Sequence, residues 1–141
     1  MLHFPQKSAT HSKERMSDRL LLDTHVALWW WANDKRLSLT AREAIADATL
    51  VFVSAASAWE MAIKSGLGRV RLPRSFSNGV QESGFIELPI GFDHAAATEF
   101  LAAHHADPFD RMLLAQAKVE RLVIVTHDRQ FEPYGQAILW T

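Results

Sequence analysis

The chain has 141 residues, 48% hydrophobic and 22% charged, with a formal net charge of −1, which suits one ordinary globular domain with its own core. It has no cysteine, which excludes disulfides, thiolate metal sites and cysteine nucleophiles and fits a reducing, cytoplasmic setting. The near-neutral charge argues against gripping nucleic acid by bulk positive charge, and no apolar run approaches the roughly 20 residues that span a bilayer, so no membrane partner is expected.

Residues 1–17 are polar and mixed and lack the apolar stretch of a signal peptide. They read as a disordered extension ahead of a domain at 18–141, with Met16 as an alternative start. Arg19–Leu22 is a short apolar run of the kind found in parallel strands covered on both faces. Thr24–Ala32 reads as a helix closed by Asn33-Asp34. The capping box Thr40-x-x-Glu43 opens a second helix. Leu50–Ser54 is a β-branched strand, and Ala55–Ser65 a helix stopping at Gly66. "GLGRVRLP" is a loop or short hairpin. Arg74–Ser83 is predicted helical and ended by Gly84, "FIELP" is a third strand, and Asp93–His104 is predicted helical. "DPFDRMLLAQAKVER" is a helix with Pro108 at its first position. Leu122–Thr126 is another buried strand, and "AILW" a final edge strand. Strands alternating with helices predict an α/β fold with a mostly parallel central sheet.

Ligands of open α/β sheets sit at the carboxyl ends of the strands, and acids recur there. Asp23 follows the first strand, and Asp128 follows the fourth. Glu60 lies in the helix after the second strand, and Asp107 and Asp110 open the long helix. A parallel sheet would bring them to one rim, where unpaired carboxylates repel one another. A hard divalent cation relieves that repulsion, and oxygen-only ligation suits Mg²⁺ or Mn²⁺. Each acid also has a plainer reading: Asp23 and Asp107 as helix caps, Asp110 as a favourable charge at a helix start, Asp128 as a turn residue, and Glu60 in a Ser57-x-x-Glu60 capping-box look-alike, disfavoured because Ser54 is the better cap.

"LLLDTHVALWW", "VSAASAWEMAIKSGLGRVRLP", "HADPFDRMLLAQA" and "VTHDRQF" together resemble the PIN domain, and more closely the VapC-type toxins of bacterial toxin–antitoxin systems. The resemblance runs from about Arg19 to Thr141. It implies an α/β/α sandwich and a Mg²⁺-dependent endoribonuclease that is neutralised by a cognate antitoxin and pairs as a homodimer. It carries the metal-binding and catalytic roles to Asp23, Glu60, Asp110 and Asp128, with Asp107 as cap or outer support. It also implies in-line attack by water, leaving a 5′-phosphate and a 3′-hydroxyl.

Thr24, Ser57 and Thr126 adjoin these acids and are placed to orient waters or carboxylates, or simply to cap backbone. Lys64, Arg69, Arg71 and Arg74 form an acid-free basic stretch beyond Glu60. With Arg111 they are the candidates for phosphate contacts to single-stranded RNA. Trp29, Trp30 and Trp31 fan out by about 100° each on a helix, so at least one should reach a second surface, a candidate protein interface. Three rival readings remain. His25, His104, His105 and His127 suggest acid–base attack by the ribose 2′-hydroxyl. A non-catalytic module binding RNA or protein is a second. An aspartyl phosphotransferase of the haloacid dehalogenase type is a third, disfavoured because His25 stands where a second Asp is needed.

Overall fold

The computed structural model describes residues 18–72, 75–104 and 106–141. The extension expected over residues 1–17 lies outside them, as do Arg74 and His105. The strands are β1 (Arg19–Leu22), β2 (Leu50–Ser54), β3 (Ile86–Leu88), β4 (Val123–Thr126) and β5 (Ile138–Trp140). The helices are α1 (Thr24–Ala32), α2 (Leu39–Asp47), α3 (Ala55–Gly66), α4 (Phe76–Glu82), α5 (Phe92–Ala97) and α6 (Pro108–Glu120).

All strand pairs are parallel, in the order β3-β2-β1-β4-β5. The chain moves outward from β1 to β3, then crosses back to place β4 on the other side of β1. That reversal puts the topological switch between β1 and β4, where open α/β sheets bind their ligands.

Side chains alternate across the sheet as strand geometry demands. Leu20, Leu22, Val51, Val53, Val123 and Val125 face α1, α2 and α4 through Val26, Trp29, Ile45 and Val80. Leu21 and Ile124 face the other way, against Leu113, Leu114 and Ala117 of α6 and Phe131. The result is an α/β/α sandwich with Leu20–Leu22 of β1 wholly inside it, as the sequence predicts.

Local details correct several expectations. The cap of α2 is Ser38, whose side chain accepts from Ala41 N at 3.1 Å, so the Thr40–Glu43 box does not open that helix. Residues 66–72 form no strand, and Gly68 turns there with φ +72°, so "GLGRVRLP" is a loop rather than a hairpin in its described part. The helix α4 starts at Phe76, capped by Ser75.

The helix expected over Asp93–His104 ends at Ala97 and runs on only as a 3-10 turn through Phe100. Its carbonyls are drawn off. Thr98 donates its hydroxyl to Ala95 O at 2.6 Å, and the Arg111 guanidinium collects the carbonyls of Thr98, Leu101 and Ala102 at 2.9–3.3 Å. Backbone acceptors claimed by side chains no longer propagate a helix.

The three tryptophans divide as their angular spacing demands. Trp29 is buried in the core under the sheet. Trp30 packs on Phe85 at 5.7 Å between ring centroids, and Trp31 meets Phe76 edge-on at 5.0 Å while donating Nε1–H to Ser83 Oγ at 2.8 Å. Thus α4 and the segment after it cover the helix. Trp30 and Trp31 remain partly exposed there.

Candidate active site at the strand ends

Asp23 is the first residue beyond β1. Its backbone N–H donates to Val125 O at 3.0 Å, extending the β1–β4 ladder by one step. It occupies the N-cap position of α1 but makes no capping hydrogen bond. Its side chain is instead turned toward β4, where Thr126 Oγ1 donates to Asp23 Oδ2 at 2.7 Å. Thr126 in turn accepts from Asp128 N at 3.0 Å, and that bond orients the hydroxyl so that its proton is given to Asp23. Burial raises the Asp23 pKa, against the opposing pull of the Thr126 bond and the nearby His25.

Glu60 lies in the second turn of α3 and is 8% exposed. Thr24 Oγ1 stands 3.0 Å from Glu60 Oε1 and 2.8 Å from Ser57 Oγ. One hydroxyl carries one proton, so with Thr24 donating to the carboxylate, Ser57 donates to Thr24. The other oxygen, Oε2, pairs with Lys64 Nζ at 3.0 Å. Lys64 is therefore a counter-ion of the acidic site, one helical turn along α3.

Asp110 is the third residue of α6. Asp107 caps that helix, its Oδ1 accepting from Phe109 N at 2.9 Å and from Asp110 N at 3.4 Å. The plainer reading of Asp107 as a cap therefore holds. Burial, and then the negative charges of Asp23, Asp107, Glu60 and Asp128, push the Asp110 pKa up to about 8. Residues separated by 87 positions between Asp23 and Asp110 thus act on one another electrostatically. Asp128 caps the following 3-10 turn, its Oδ1 accepting from Gln130 N at 3.0 Å.

Among the other candidates, Arg69 and Arg71 are exposed on the segment after α3. Arg111 is held by its three carbonyls. His25 and His127 are exposed, lie edge-to-face at 5.9 Å and both contact the Trp29 ring. His104 packs against Tyr134 at 5.4 Å.

Sequence reasoning missed Gln116, which is fully buried. It accepts from Ser54 Oγ at 2.5 Å and donates to Pro89 O at 3.2 Å, tying α6 to the ends of β2 and β3. Ser54 also caps α3 by accepting from Ala56 N, so Gln116 fixes how the helices bearing Glu60 and Asp110 leave the sheet. The signal was present: a Gln set into the apolar face of "LLAQA".

A separate group, Asp93, His94 and Glu120, brings three ligand atoms within 4.8 Å of one another. Its chemistry does not suit a metal. His94 Nδ1 accepts from Gly91 N at 2.9 Å, so the neutral ring carries its proton on Nε2, which is 2.7 Å from Glu120 Oε2. Both ring nitrogens are committed, and the group clamps α5 onto the end of α6.

What the acidic rim is chemically equipped to do follows from its donor set. Carboxylates gathered around Asp110, with hydroxyls donating to Asp23 and Glu60, make an oxygen-only donor set that suits a hard divalent cation.

A model of the PIN domain family matches residues 20–136. Ribonuclease VapC22 of Mycobacterium tuberculosis is 31% identical over 118 residues, which cover 82% of this chain and 91% of that protein. VapBC2 of Rickettsia felis, bound to a DNA fragment from its promoter, superposes with a TM-score of 0.64 at 11% identity, over 86% of this chain and 97% of that one. A toxin–antitoxin complex from Klebsiella pneumoniae gives 0.61 at 19% identity, over 85% and 95%. The two structural likenesses speak for the fold, and the family match and the sequence relative speak for descent: the chain belongs to the PIN-domain family, of the VapC type.

Proposed function

We propose that this protein is a divalent-metal-dependent endoribonuclease, the toxin of a toxin–antitoxin pair, with its functional unit at residues 18–141. The gathering of acids around Asp110 carries the reading: burial first, and then the charges of Asp23, Asp107, Glu60 and Asp128, push its pKa up to about 8. Such a cluster needs a cation in order to ionise fully. The ribonuclease name of the Mycobacterium tuberculosis relative supports RNA as substrate.

Asp23, Glu60 and Asp110 would hold Mg²⁺ or Mn²⁺, with Asp128 at a second or outer position. When bound, the ion supplies the missing counter-charge and Lewis acidity toward the phosphate. Thr126, and Thr24 with Ser57, fix the rotation of Asp23 and Glu60. Asp107 holds the start of α6 so that Asp110 points into the site. Lys64, the counter-ion of Glu60, would with Arg69, Arg71 and Arg74 offer positive charge to the RNA phosphates. The reaction is hydrolysis: water adds at phosphorus and the ribose 3′-oxygen leaves.

An antitoxin partner is supported by the toxin–antitoxin complexes among the structural neighbours. Exposed apolar side chains such as Leu39, Phe92 and Phe100 offer contact surface for it or for a second copy.

Incubating total RNA with the protein and Mg²⁺, with Asp23→Asn as control, tests the reading. Metal-dependent cuts ending in 5′-phosphate are expected, and none from the variant. Cutting that persists in chelator and stops at a 2′-deoxy position would favour the histidine route through His25 and His127 instead. RNA binding without any cutting would leave the non-catalytic module.

A further inference from the structure

We propose that the apolar pocket between the first turns of α3 and α6 receives one unstacked nucleobase of the RNA, beside the phosphodiester engaged by the acidic rim. This rests on the ribonuclease reading and extends it by assigning a base-binding subsite.

The cavity measures about 280 Å³, and Ala56, Trp59, Ile90, Pro108, Phe109 and Arg111 are among its lining residues. That is below the roughly 300–1,000 Å³ of clefts that take drug-sized ligands, and in scale with a single planar ring system. Trp59 is 62% exposed. Its ring meets Phe109 at 5.2 Å between centroids and 71° between planes. An edge-to-face contact of this kind props the indole while leaving ring surface open for stacking. Arg111 is anchored by the carbonyls of Thr98, Leu101 and Ala102, so its planar cation is already ordered at the pocket before anything binds.

Position identifies the occupant. Trp59 directly precedes Glu60, and Phe109 directly precedes Asp110. The two pocket aromatics are thus carried on the same helical turns as two site acids. A ligand filling both places has a neutral planar part for the aromatic pocket and an anionic part for a cation-loaded carboxylate cluster, joined by a short link. A nucleotide within a single strand has that division, and aromatic stacking platforms are how proteins hold unpaired bases. An apolar side chain of a protein partner would fill the pocket without using the acids beside it.

The test uses an oligoribonucleotide spanning the mapped cut site, with a single abasic ribonucleotide walked through it. Full-length wild type, Trp59→Ala and Trp59→Phe are compared with Mg²⁺. One abasic position next to the cut is expected to lower wild-type kcat/KM about tenfold, the low end of base–aromatic stacking effects. Trp59→Ala should lose the same factor on intact RNA and nothing more on the abasic strand, while Trp59→Phe keeps most of the discrimination.

A parallel arm measures binding by anisotropy in the Asp23→Asn background, where intact RNA should outbind the abasic strand only while residue 59 is aromatic. This arm needs no turnover, so failure of the ribonuclease reading leaves it informative. Equal abasic penalties in wild type and Trp59→Ala, or none in either, would overturn the proposal. So would a Trp59→Ala protein that treats RNA as wild type does but loses self-association or antitoxin binding.

Discussion

Thr126 Oγ1 gives its proton to Asp23 Oδ2 at 2.7 Å, and so joins the last residue of β4 to the first residue beyond β1. Because Thr126 also accepts the Asp128 N–H at 3.0 Å, one hydroxyl links two of the four proposed metal-binding acids. Outer hydrogen bonds of this kind typically change metal affinity or activity by about 10–100-fold when removed. Thr126→Val is therefore expected to lower cleavage and Mn²⁺ affinity by a factor in that range, and Thr126→Ser to restore most of both. Calorimetric titration with Mn²⁺ alongside cleavage assays reads the two together. A Thr126→Val protein with unchanged Mn²⁺ affinity would show that the bond serves folding only.

The Asp110 pKa of about 8, against 3.8 for an ordinary aspartate, sets a pH dependence. Between those values the folded metal-free protein holds a proton that the unfolded chain releases, so stability falls as pH rises through that window. The metal-free melting temperature should drop from about pH 5 to about pH 8. Since cation binding displaces that proton, Mg²⁺ should raise the melting temperature more at pH 8 than at pH 6. Asp110→Asn should flatten the metal-free profile and abolish cleavage. Differential scanning fluorimetry across pH, with and without Mg²⁺, checks all three, and a metal-free profile that rises toward pH 8 would contradict the coupling.

Gln116 is the hinge on which α3 and α6 leave the sheet. Gln116→Leu would leave the Ser54 hydroxyl proton and Pro89 O without their partner. Stranded buried polar groups cost about 1–3 kcal/mol, so a loss of that size in urea denaturation is expected. Cleavage should fall even under conditions where the variant is fully folded, because the helices bearing Glu60 and Asp110 shift. Full activity in the folded variant would limit Gln116 to stability.

Gly79 marks the contact that closes α4 over α1. A Cβ there would stand 2.8 Å from Trp31 Cε2 and 2.9 Å from Cζ2. The indole is pinned by Ser83 and Phe76 and has little room to yield. Gly79→Ala should destabilise by about 1–3 kcal/mol, as overpacking does, while the folded fraction keeps its cleavage rate. The melting temperature and the rate per folded molecule separate the two effects.

Much of the architecture follows from local sequence. Runs such as Leu20–Leu22 and Val123–Val125 are apolar at every position because both faces of a central parallel strand are covered. Pro108 and Asp107 set the start of α6 by chemistry confined to one turn. Only tertiary structure decided the rest. That Asp23 serves the rim and makes no capping bond depends on Thr126, more than a hundred positions away. That α5 stops at Ala97 depends on Arg111, a side chain from another helix. Trp30 and Trp31 of α1 are partly covered because α4 folds back over them, which no pattern within α1 could specify. Periodicity and capping are written in neighbouring residues, whereas a carboxylate's proton affinity, or a carbonyl's competing partner, is set by whatever the fold brings within a few ångströms.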